Sequence, residues 1–139
     1  MWATWRLSGA GLTNQYVYVV PIIVPFIAFL LDRASGIREV SLITLVVDVL
    51  VVGTAMMRVI SNVPLVSGHA LFLTYAMLRP GSLVTRITAA LVMLEVVYLK
   101  FFVWHDLITP LTGITLGLVA AVVTRRFSET AFPRKPAVK

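Results

Sequence analysis

Apolar residues fall into five runs, at 16–31, 40–60, 65–78, 83–104 and 107–124. Short polar breaks separate them. The first break, Asp32-Arg33-Ala34-Ser35-Gly36-Ile37-Arg38-Glu39, is a charged turn; the second contains Ser61, Asn62 and Pro64; the third is Arg79-Pro80-Gly81. Runs of this length predict helices, and most approach the ~20 residues that a membrane crossing needs. The third is short, so its start is expected below the membrane surface. Pro21 and Pro25 lie inside the first run. They would kink it unless neighbours satisfy the freed carbonyls. The pattern predicts an all-α integral membrane bundle of five transmembrane helices.

Composition strengthens this reading. Of 139 residues, 59% are hydrophobic and only 13% charged, with a mean hydropathy of +0.94. A soluble domain of this size could not bury so much apolar surface. The start of the chain, Met1-Trp2-Ala3-Thr4-Trp5-Arg6, lacks the basic region and small-residue cleavage site of a removable signal. The first run is therefore read as retained, with Trp2 and Trp5 as interfacial anchors. The sequence shows no repeat and no loop long enough for a separate soluble domain. Residues 1–124 form one transmembrane domain, and the basic, proline-containing tail at 125–139 is expected to lie disordered at the cytoplasmic surface.

Charge gives the orientation. Arg33, Arg38, Arg79, Arg86, Arg125, Arg126, Arg134, Lys135 and Lys139 share one side, while Arg6, Arg58 and Lys100 share the other. The positive-inside rule makes the first side cytoplasmic. The N-terminus is then outside and the C-terminus inside, as in a multi-pass protein of the cell (inner) membrane. The net charge of +6 follows this topology and forms no continuous basic face, so no nucleic-acid partner is expected. With no cysteine, neither a disulfide framework nor a thiolate metal site can form. His69 and His105 lack a third ligand at metal spacing, so no metal or other cofactor is expected.

This topology gathers Arg58, Ser67, Gly68, His69, Lys100, His105 and Asp106 at the outer face. Ser67 and Gly68 open a helix, where free N–H groups and the helix dipole favour an anion. Arg58 and Lys100 add positive charge. Two imidazoles beside a phosphate could serve as nucleophile and general acid. The same residues have plainer roles: Ser67 as a helix cap, His105 and Trp104 in an interfacial belt, and Lys100 snorkelling to the surface. Asp48 and Glu95 are carboxylates well inside their runs, where ionisable groups are expensive and mark candidate functional sites. Gly113 and Gly117 have the small-residue spacing that permits close helix contact.

Val66-Ser67-Gly68-His69-Ala70 resembles the second signature of the type-2 phosphatidic acid phosphatases, Pro-Ser-Gly-His at a helix start. His105, followed by Gly113 and Gly117, is similar to the end of their third signature. The resemblance covers roughly residues 58–117. It implies that His105 is the nucleophile and His69 the acid, that Ser67 and Gly68 cradle phosphate, and that Lys100 and Arg58 supply charge. Thr109 stands where that family has an aspartate, Tyr98-Leu99 where it has Ser-Arg, and no Lys-to-Arg-Pro signature precedes Ser67. Asp106 and Thr109 are the residues left to orient the histidine.

Three functions follow as expectations. The first is a lipid-phosphate or pyrophosphate phosphatase acting at the outer face through a phosphohistidine on His105, with membrane lipids as its surroundings. The second is a non-catalytic membrane subunit that keeps the phosphatase-like scaffold and binds a membrane protein partner. The third is a small proton-coupled carrier using Asp48 and Glu95.

Overall fold

The computed structural model describes residues 14–36, 41–61, 66–103 and 105–131. Trp2, Trp5, Arg6, Trp104, residues 132–139 and the side chain of Arg58 lie outside the described residues. The described chain is all-α, with five helices and no strand. They are α1 (Asn14–Gly36), α2 (Leu42–Ser61), α3 (Gly68–Leu78), α4 (Leu83–Tyr98) and α5 (Ile108–Ala131). A π-helical turn, Leu99–Val103, extends α4.

Each expected run contains a helix, but the ends differ. α1 continues through Pro21 and Pro25 and runs to Gly36, well past 31. Asp32 and Arg33 therefore belong to its last turns, where the structure uses both. α5 runs past Thr124 to Ala131, so the first residues assigned to the tail are helical. α3 is the shortest, at 11 residues, or about 16 Å at 1.5 Å per residue.

That short helix is the centre of the fold. Gly68 and every residue from Ala70 to Ala76 are buried. A helix apolar on all sides has no face for solvent and is buried on all sides. α3 packs against all four other helices, most extensively α5 and α4. Around it, α1 packs on α4 and α2 packs on α5, whereas α1 and α2 scarcely touch although they are consecutive. Phe72 anchors the core, with its ring centroid 5.7 Å from that of Phe26 and 5.4 Å from that of Phe29.

Local chemistry sets the ends of α3 and α4. The Ser67 hydroxyl accepts a hydrogen bond from Ala70 N at 3.4 Å, and Ser82 does the same for Thr85 N at 3.2 Å. Each satisfies an amide that the first helical turn leaves unpaired. Pro80 disfavours a helical Arg79, so α3 stops there. Arg79 N closes the last turn on Tyr75 O at 2.9 Å.

Glycine brings the helix backbones together. A Cβ at Gly113 would lie 2.5 Å from Ser67 O, and one at Gly117 would lie 2.6 Å from Leu71 O. The pair therefore seats α5 directly on α3 rather than on a second molecule.

The surface is unusually apolar. Leu42, Ile108, Phe102 and Leu83 are each about 70% exposed or more, and they come from three different helices. By length and composition, one helix in the described chain, over Ile108–Phe127, is sufficient to cross a membrane alone. Leu42–Met56 and Gly68–Leu78 are shorter apolar helices.

Candidate functional site

The polar side chains fall into two clusters, one at each end of α3.

At the N-terminal end, the π turn after α4 places Lys100 inward, where it is only 9% exposed. Its Nζ donates to Asp106 Oδ2 at 2.9 Å and to Thr109 Oγ1 at 3.3 Å. Asp106 Oδ1 accepts from Thr109 N at 3.2 Å, capping the start of α5. The Thr109 hydroxyl also donates to Asp106 Oδ2. Burial pushes the Asp106 carboxyl up, but bonds from the Thr109 hydroxyl, Lys100 and the Thr109 amide outweigh this and hold it below the usual carboxylate range. Thr109 O accepts from Ser67 N at 2.9 Å, so this knot reaches the start of α3.

Ser67, Lys100, Asp106 and Thr109 therefore meet at this end of α3. Asp106 and Thr109 were expected to orient His105. Their polar atoms instead engage Lys100 and each other, and no hydrogen bond to the His105 ring is found among the described residues. The reason is positional. Asp106 sits at the mouth of α5, where free amides compete for its oxygens.

The histidines diverge. His69 lines a cavity of about 280 Å³ between α1 and α2, beside Ile22, Phe26, Val52 and Phe72. His105 is exposed and is not among the residues lining that cavity. Its φ of 52° lies in the left-handed region, which it alone occupies among the described non-glycine residues. This conformation turns the chain from the π turn into α5. Gly68 is set by packing: a Cβ there would lie 2.6 Å from Ala55 O of α2. The contribution of Arg58 lies outside the described residues.

The opposite end holds the more extensive cluster. Asp48, buried on α2, ion-pairs with Arg33 of α1 and with Arg79 beyond α3, the latter at 3.2 Å. The Tyr75 hydroxyl donates to Asp48 Oδ1 and lies 3.1 Å from Thr124 Oγ1 of α5. The Arg79 guanidinium lies 4.2 Å from the centroid of the Phe29 ring, a cation–π contact. Asp32 Oδ2 accepts from Ser82 N at 2.9 Å and Thr85 Oγ1 at 2.7 Å, tying α1 to the start of α4. Arg125 Nε donates to Leu78 O at 2.9 Å and Arg86 Nε to Met77 O at 3.3 Å, serving carbonyls that the end of α3 leaves open.

Sequence reasoning marked Asp48 but read Arg33, Arg79, Arg86 and Arg125 only as topology signals. It missed their structural work. The available signal was the spacing of Tyr75 and Arg79, one helical turn apart and so able to address one target. Glu95 joins neither cluster and lies exposed on α4. Among the described residues no group of His, Asp and Glu could hold a metal ion. Comparison with known protein families, characterised proteins and solved structures finds no match.

Proposed function

We propose that this chain is a non-catalytic subunit of the cell membrane, with its five helices crossing the bilayer, its N-terminus outside and its C-terminus in the cytoplasm. The apolar exterior supports the membrane reading: large hydrophobic side chains are exposed on α1, α2, α4 and α5, a pattern suited to lipid. The arginines around the end of α3 then lie on the cytoplasmic side, in keeping with the positive-inside rule.

The bonding of Lys100 carries the functional reading. It is the outer-face cation whose side chain is described, and it is held by Asp106 and Thr109. A phosphate would have to compete with a carboxylate already in place. The same knot explains the retained motif residues as structure: Ser67 caps α3, Thr109 holds Ser67 and Asp106 caps α5. The protein is a scaffold on which another membrane protein assembles.

Phosphate release from a lipid phosphate by the purified protein tests this. The expected result is no release above that of a His69→Ala/His105→Ala double variant. Turnover that the double variant loses would overturn it.

A second reading, the lipid-phosphate phosphatase, is favoured by one contact. The hydrogen bond from Ser67 N to Thr109 O joins the two segments that resemble the family's signatures. For that reading His105 attacks phosphorus, and activity surviving His105→Ala would eliminate it.

A further inference from the structure

α4 has two unlike sides. Ala89, Met93 and Val96 are buried against the bundle. Leu91, Leu94, Tyr98 and Phe102 are exposed, with the Tyr98 and Phe102 ring centroids 5.5 Å apart. Glu95 stands among these exposed apolar side chains. Its main-chain carbonyl accepts from Leu99 N, but no hydrogen bond or ion pair to its carboxylate is found among the described residues.

We propose that this face of α4 docks a transmembrane helix of a different protein, one that carries a lysine or arginine at the depth of Glu95. The proposal rests on the reading of the chain as a multi-pass membrane subunit. Glu95 lies about 18 Å along the helix from Leu83, within a hydrocarbon layer about 30 Å thick. Phe102 lies about 10 Å further on. The carboxylate is thus inside the apolar layer, and its side chain is too short to reach either surface. Ionisable groups at such depth pair with one another or with a partner helix.

Charge complementarity identifies the partner. A second copy of this chain has the same orientation, and a two-fold axis along this face would set Glu95 against Glu95. Like charges at that depth repel. The exposed cations Arg86 and Arg125 sit at the other end of the bundle, bonded to Met77 O and Leu78 O. Lys100 is turned inward to Asp106. Among the described residues no exposed cation of this chain stands at the depth of Glu95, so the complementary cation is assigned to another protein.

The test uses the full chain in phosphatidylcholine vesicles with synthetic single-span, leucine-rich helices as probes. These carry lysine, leucine or glutamate at the central position, and association is read by energy transfer. The lysine probe is expected to bind the wild type about tenfold more tightly than the leucine probe, the scale of an interhelical polar contact. That preference should vanish in Glu95→Leu and weaken in Glu95→Gln. Both variants should fold, because the side chain is exposed. A preference unchanged by Glu95→Leu would overturn the proposal. So would self-association of the wild type that Glu95→Leu abolishes.

Depth is checked separately. The chain has no cysteine, so Glu95→Cys provides a single thiol, expected to resist a membrane-impermeant maleimide. Ready labelling would sink the membrane reading of α4 and the docking proposal with it. A shielded thiol without lysine preference would sink the docking proposal alone.

Discussion

Arg79 Nη1 lies 3.2 Å from Asp48 Oδ1, joining the turn beyond α3 to the second turn of α2. Both side chains are almost fully buried. Arg33 from α1 shares the same carboxylate, and Tyr75 donates to it as well. Asp48 is thus the point at which three helices and a turn are tied together.

Removing Asp48 should therefore be costly. Asp48→Leu strands the buried Arg79 guanidinium and removes the ion pair of the half-buried Arg33, and breaking a buried pair this way costs about 3–5 kcal/mol. Thermal unfolding in detergent should show a large fall in Tm. Tyr75→Phe leaves the ion pairs in place and should cost only about 1 kcal/mol, the net worth of a typical hydrogen bond. Equal effects of the two variants would contradict Asp48 as the centre of the cluster.

The α3–α5 contact gives a steric prediction. Gly113→Ala and Gly117→Ala place a methyl within 2.6 Å of backbone oxygens that cannot move aside locally. Each should destabilise by about 1–3 kcal/mol through overpacking. Gly53 is the control. Nothing lies within 4 Å of its Cβ position, and Gly53→Ala should stabilise by up to about 1 kcal/mol through helix propensity.

Acid stability follows from Asp106, whose folded carboxyl lies below the ordinary value of 3.8. A lowered folded pKa means that the unfolded chain binds the proton more readily. Its contribution is thus present above 3.8 and is lost as pH falls from there through the lower folded value. Melting curves across this range should show Tm falling with acid. Asp106→Asn should flatten that fall, and an unchanged slope would count against the carboxylate bonds described.

His105 separates a structural role from a chemical one. Its left-handed backbone costs a non-glycine residue about 1–2 kcal/mol. His105→Gly should leave Tm unchanged or higher, and His105→Val should lower it. If His105 is only the bend between α4 and α5, the glycine variant keeps every function of the chain. A phosphatase activity lost in His105→Gly, with Tm preserved, would restore the nucleophile.

Sequence alone determined the helices and their apolar character. Apolar runs and the breaks at 32–39, 61–64 and 79–81 are local features, and helix formation depends on neighbours a few residues apart. The cap Ser67 and the close-contact role of Gly113 and Gly117 are legible for the same reason. Tertiary structure alone decided which polar groups meet. Asp48, Arg33, Arg79 and Thr124 come from four segments, and nothing in their spacing states that α3 lies at the centre with α1 and α2 apart. The histidines show the same limit. Ser67-Gly68-His69 and His105 bracket one apolar hairpin, but side-chain direction depends on helix rotation and on the chain reversal at His105. Packing set that rotation: Gly68 against Ala55 turns His69 toward the α1–α2 cavity, and the cap at Asp106 binds Lys100 instead of leaving it for an anion.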